Sequence, residues 1–310
     1  MEEKNEIMNL LQNKQILEHE LRTLTYGSVE IRENNSNKYI YVHYREDGGV
    51  LTKYVGEYSD ELYNLIVNNN IKAKQLKKQI RETIKQLKKF NYIEGELSEK
   101  VERSIDFAKR HLVDTIYKQA ILEGVVTTFV DTESIIEGGK VNNMTSEDIL
   151  KIVNLKHTWE FILNKNVILS DTNCALLCEI NKMVEEGFYY SAGKIRSVPV
   201  TIGGTTWKPN LPIESVIKEE LEEIFSKKAD DIDRAIELLL YIMKKQIFID
   251  GNKRTAIIYS NHYLISKGKG IIVIPAELTE EFKNLLILYY ESKDENKIKG
   301  FLKEKCYMKI

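Results

Sequence analysis

The residues best able to do chemistry lie in one short run, Gln246 to Ala256, which reads QIFIDGNKRTA. It stands between two apolar helical patterns, Ile232 to Met243 and Ala256 to Leu264. Asp250-Gly251-Asn252 is a turn signal, and its place ahead of the second pattern puts exposed backbone N–H groups at the mouth of a helix. Such a mouth favours anions, and Lys253 and Arg254 add charged donors for phosphate oxygens. A carboxylate at Asp250 would repel a bare phosphate. With Mg2+ it becomes intelligible, because that ion is held by one or two carboxylates together with substrate phosphates. The spacing points to a magnesium–nucleotide site on a helix-loop-helix; the plainer alternative is an ordinary turn and helix cap.

Elements that could position this run surround it. The 310 residues allow one large domain or two ordinary ones. The composition, 43% hydrophobic and 30% charged, is that of a globular chain. Forty-five basic against 47 acidic residues leave a net charge of -2, so nucleic acid is not an expected partner and any such binding would have to be local. No apolar run approaches the roughly 20 residues that cross a bilayer, so no membrane association is expected. The start, Met1-Glu2-Glu3-Lys4, lacks a signal-peptide pattern and implies a cytoplasmic protein. Cys174, Cys178 and Cys306 complete no ligand set and read as thiols.

Residues 3–22 carry a helical apolar period, and three short aromatic and β-branched runs between Val29 and Val55 predict a three-stranded meander. From Ser59 to about Lys89 a stripe of Leu and Ile predicts a long amphipathic helix whose Lys-rich face reads as a solvated face. A boundary is placed near residue 95. It divides an accessory α+β module, 1–95, from a mainly helical domain, 96–310. Helices are predicted over 97–116, 117–136, 145–164, 171–186, 212–226, 229–245, 253–267 and 277–291. Lys194 to Lys208 alternates Val198, Val200 and Ile202 ahead of Gly203-Gly204 and reads as a β-hairpin.

The motif run resembles the signature of the Fic/Doc (Fido) family, His-x-Phe-x-Asp/Glu-Gly-Asn-x-Arg, with Phe248, Asp250, Gly251, Asn252 and Arg254 in register. SAGKIRSVPVTIGGTTWKP, from Ser191 to Pro209, resembles the family's flap, and SIIEGGKVNNMTSEDILKI, from Ser134, resembles its inhibitory stretch. Together the matches cover roughly residues 115–275. The resemblance implies a Fic-type helical bundle with a β-hairpin flap that transfers AMP from ATP to a hydroxyl of a target protein. It implies ATP and Mg2+ as cofactors, Asp250 as metal ligand, and Gly251, Asn252, Lys253 and Arg254 as the nucleotide cradle. It further implies Ser134 and Glu137 as regulatory residues. Arg196, Val198, Val200, Ile202, Gly203 and Gly204 would form the flap on which the target protein docks by strand addition.

Three departures shape the expected function. Gln246 holds the position of the family's general base, and an amide does not accept a proton at neutral pH as imidazole does. Lys253 stands where AMP-transferring members carry Gly, in a form resembling the Doc branch, which phosphorylates its target. Ile257 stands where a second Arg is usual. The reading is a nucleotide-binding protein whose transfer chemistry is lost or slowed. An active AMP- or phosphotransferase with another base, and a non-catalytic interaction module, are the alternatives. A homo-oligomer or an antitoxin partner is compatible with each.

Overall fold

The computed structural model describes residues 2–34, 37–46, 49–90, 97–292 and 294–310. The chain forms two compact units, Met1–Ile93 and Glu94–Ile310. The boundary expected near residue 95 lies outside the described residues.

The first unit comprises α1 (Glu2–Thr23), β1 (Ser28–Asn34), β2 (Asn37–Glu46), β3 (Gly49–Glu57) and α2 (Asp60–Lys89). The expected meander forms as an antiparallel sheet in the order β1-β2-β3, with Val29 opposite Val42 and Tyr41 opposite Tyr54. Period-2 alternation sends Ile40 and Val42 inward against Ile66 of α2. On the other side Tyr54 packs against Tyr39 and Tyr41, with Arg32 over the Tyr41 ring. Ser59 caps α2 by accepting from the Leu62 N–H, and α1 runs along α2.

The second unit is helical: α3 (Glu99–Arg110), α4 (Leu112–Leu122), α5 (Phe129–Ile136), α6 (Ser146–Ile162), α7 (Lys165–Ile168), α8 (Cys174–Val184), α9 (Glu214–Ser226), α10 (Asp231–Lys245), α11 (Asn252–Ser266), α12 (Thr279–Ser292) and α13 (Asn296–Phe301). A two-stranded ribbon, β4 (Ile271–Ile272) with β5 (Tyr307–Met308), completes it. α11 is the axis of this unit. Apart from Lys253 it is buried from Asn252 to Ile265, packed by α10, α8, α6 and α3. Its polar side chains are satisfied locally: Asn261 donates to the Ile257 and Ile272 carbonyls and accepts from the Ile272 N–H. His262 bridges the Thr172 hydroxyl and the Val167 carbonyl, and burial drives its pKa down to about 4, so it stays neutral.

Three sequence expectations are corrected here, the first being the helix predicted over 97–116, which is broken at His111 where α3 ends and α4 begins. Residues 117–136 are not one helix. α4 ends at Leu122, Gly124 takes a left-handed φ of 81°, and Thr128 caps α5 by accepting from the Asp131 N–H. Residues 194–208 form no hairpin and contain no strand. Pro199 has no N–H to offer a ladder, and the Arg196 guanidinium takes the Val198 and Asn210 carbonyls. The far limb is fixed to α12 instead, by Trp207 stacked on Tyr290 and by the Thr205 hydroxyl donating to Glu291.

Candidate functional site

The motif loop joins α10 to α11. Gln246 ends α10 in the left-handed region, φ 48°, a conformation uncommon for a residue with a side chain. Its amide is folded back: Nε2 donates to the Met243 carbonyl at 2.6 Å and Oε1 accepts from Asn252 at 3.2 Å. Asn252 also donates to the Phe248 carbonyl and accepts from the Phe248 N–H, so one side chain closes the loop upon itself. Buried Phe248 anchors the loop in the core.

Asn181 of α8 holds the loop from below. Its Nδ2 donates to the Asp250 carbonyl and to the Thr255 hydroxyl, and its Oδ1 accepts from the Gly193 N–H, at 2.9 to 3.1 Å. Gly251 is required where it stands. Its φ is 73°, and a Cβ there would lie 2.3 Å from the Glu185 carboxylate. No side chain caps α11, which leaves its amino end the partial positive charge of a helix terminus, but Gly251 and Asn252 there are buried rather than exposed as the sequence suggested. Asp250 projects its half-exposed carboxylate beside that end and accepts from the Gly251 N–H at 2.7 Å.

Arg254 is buried, and two carboxylates that sequence reasoning missed surround it. Glu185, just past α8, lies 2.7 Å from Nη2; Glu123, just past α4, lies 3.4 Å from Nε and 3.3 Å from the Lys253 ammonium. Burial pushes the Glu185 carboxyl up to about 7, with Arg254 pulling it down and Asp250 and Glu123 adding to the rise. Neither Nε nor Nη1 of Arg254 makes a hydrogen bond, despite being fully enclosed. Gln119 of α4 fixes the Arg254 backbone by donating to its carbonyl, and Trp159 donates to Gln119 in turn. The available signal was punctuation: Gly124 after Glu123, and Gly187 after the Glu185-Glu186 pair, mark helix ends.

The remaining expected site residues are placed differently. Glu137 is an exposed C-cap of α5 and makes no ion pair among the described residues, while Ser134 contributes its carbonyl to the Gly139 N–H. The carboxylates at the motif arginine are Glu123 and Glu185. Arg196 is also corrected, since it is 2% exposed and points inward, donating to the Gln246, Val198 and Asn210 carbonyls. It ties the loop before α9 to the motif and presents nothing to a docking chain. Val198 and the Gly203-Gly204 turn are exposed, and Val200 and Ile202 are half-buried. Among the described residues no group of three or more His, Cys, Asp or Glu side chains could hold a metal ion by itself.

The Fic/DOC family model matches residues 171–264, the span that contains α8 and the motif loop. Solved structures with the same fold include Fic-1 (aa134–508) from C. elegans, at a TM-score of 0.53 and 17% identity, covering 79% of this chain and 73% of that one. A Fic domain containing signaling protein from Bacteroides thetaiotaomicron gives 0.51 and 20% identity, covering 61% of this chain and 74% of that one. A Fic family protein from Desulfovibrio desulfuricans gives 0.52 and 13%, covering 67% and 72%. No curated protein matches the sequence. The resemblance seen in the motif thus stands for residues 171–264, and the fold is Fic-like; Glu123 lies outside the matched span.

Proposed function

We propose that the protein binds a magnesium–nucleotide at the amino end of α11, and that its chemistry is nucleotidyl transfer from ATP to a protein hydroxyl, slowed by the amide at Gln246. The observation that carries this reading is the buried guanidinium of Arg254, with two nitrogens lacking hydrogen bonds, at an uncapped helix terminus beside an exposed carboxylate. Nε faces the Glu123 carboxylate at 3.4 Å without a hydrogen bond and Nη1 has no hydrogen-bond partner, and phosphate oxygens would satisfy such enclosed donors. Asp250 suits Mg2+, which accepts a single carboxylate when phosphates and waters complete its shell. When bound, the ion would offset charge on the phosphates.

The chain's own residues do the rest. Asn252 and Asn181 hold the loop's shape, Gly251 lets it sit against Glu185, and Arg254 supplies a fixed positive charge. Glu185 and Glu123 share that charge, and Glu123 faces Lys253 as well, so the phosphates of a nucleotide would compete with these carboxylates. Gln246 would meet the acceptor hydroxyl with an amide, which orients a proton without taking it. A second reading, phosphate transfer, is favoured by Lys253, whose ammonium lies at the same end of the site.

Calorimetric titration with ATP tests the binding. Mg2+-dependent heat is expected, stronger in Glu123→Gln, and Asp250→Ala should abolish the Mg2+ dependence. Absence of heat at millimolar ATP in both wild type and Glu123→Gln would overturn the reading. Labelling of lysate with α- or γ-labelled ATP separates AMP transfer from phosphate transfer.

A further inference from the structure

The carboxyl-terminal half of α2 concentrates positive charge that the whole-chain balance conceals. Residues 71–89 hold eight Lys and Arg against the single Glu82. At about 100° per residue, Lys74, Lys78, Arg81, Lys85 and Lys88 fall within about 40° of one line along the helix. Lys77 and Lys89 flank that line at about 60°. The five axial residues span about 21 Å, at 1.5 Å per residue. All seven are exposed.

These charges are largely uncompensated. Lys74, Arg81, Lys85 and Lys88 make no ion pair among the described residues, and Lys78 reaches Glu82 only at 3.9 Å between side chains 79% and 59% exposed. Lys77 lies over the Tyr26 ring. Lys72, which points away from the ridge, is the cation that Glu20 neutralises. The opposite face, with Ala73, Leu76, Thr83 and Leu87, is buried in the unit.

We infer that this ridge binds the phosphate backbone of duplex nucleic acid without reading its sequence. Seven cations aligned along one helix face match a linear polyanion, which carries a charge about every 1.7 Å of axis. A membrane helix would need its apolar stripe free to enter lipid, whereas here that stripe is consumed by the core. Contacts of this kind to phosphate oxygens fix position along the duplex and carry no sequence information.

The test uses the full chain and a fluorescein-labelled 20-base-pair DNA duplex of arbitrary sequence. With five phosphates neutralised, the log affinity against log salt should fall with a slope of about -4.5, roughly 500-fold between 50 and 200 mM. The triple variant Lys78→Gln, Arg81→Gln, Lys85→Gln should keep its helix, since Gln is a good helix former, and flatten the slope to about -2, roughly 12- to 16-fold over the same range. Lys228→Gln with Lys297→Gln, on the second unit, should leave the slope unchanged. The inference is overturned by undetectable binding at 50 mM salt, by a triple variant with the wild-type slope, by phosphatidylserine vesicles binding as tightly as DNA, or by polyglutamate competing as well as unlabelled duplex.

Discussion

Glu185 and His262 are buried titratable groups whose pH effects run in opposite directions. The Glu185 carboxyl rises from 4.5 to about 7 on folding, so between those values the folded protein holds the extra proton and stability falls as pH rises. His262 drops from 6.5 to about 4, so there the unfolded chain holds the extra proton and stability falls as pH drops. Each is worth about 3 kcal/mol when fully expressed, and over pH 4.5–6.5 the two slopes nearly cancel. Urea unfolding of Glu185→Gln should therefore reveal His262 alone: about 3 kcal/mol lost from pH 7 to 4, where wild type changes far less. Matching profiles would show that Glu185 does not titrate as its burial requires. Gln246→His is the second prediction at this scale. A base typically contributes about 10²–10⁴ in rate, so AMP incorporation from α-labelled ATP should rise by at least 10², most clearly beside Glu123→Gln. The motif residues were legible because they are contiguous; Glu123 and Glu185 were not, because their partner Arg254 is distant in sequence and only burial reveals the pairing.

At the level of elements, α8 governs the motif loop through Asn181. Removing its side chain strands the Asp250 carbonyl, the Thr255 hydroxyl and the Gly193 N–H, so Asn181→Ala should cost about 2–4 kcal/mol in urea unfolding and loosen the site. Loss of less than about 0.5 kcal/mol would mean that water replaces the amide. The segment before α9 is held by Arg196 and Trp207, so Trp207→Ala should open it to limited proteolysis between Val198 and Thr206 while α10 stays protected. Equal cutting in wild type and variant would refute that anchoring. Most helices were legible from period and caps. The flap was not: alternation at Val198, Val200 and Ile202 gives a strand's period, but a ladder needs backbone groups, and Arg196 had already claimed the carbonyls. The break after α4 was written in Gly124 and Thr128 yet overridden by a continuing apolar run.

For the whole molecule, two units with separate cores imply separate stabilities. Residues 94–310 produced alone should unfold cooperatively and bind ATP as the full chain does, checked by circular dichroism and calorimetry; a piece that fails to fold would show that the first unit supplies part of its core. The boundary near residue 95 is read from the break in helical period at Asn91 to Glu96, between two helical stretches. The net charge of -2 is an average and carries no information on how charge is distributed along the chain. No helix among the described residues is long and apolar enough to cross a membrane.

Because α11 is sheathed along almost its entire length and Gly251 lies flush against Glu185, the amino end of α11 has little room to shift, and under the proposed function a guest would meet a fixed surface there. Glu123 stands on the short linker between α4 and α5. Under the proposed function, admission would be a contest between a tethered acid and a free one for the same cation, decided by the guest's concentration.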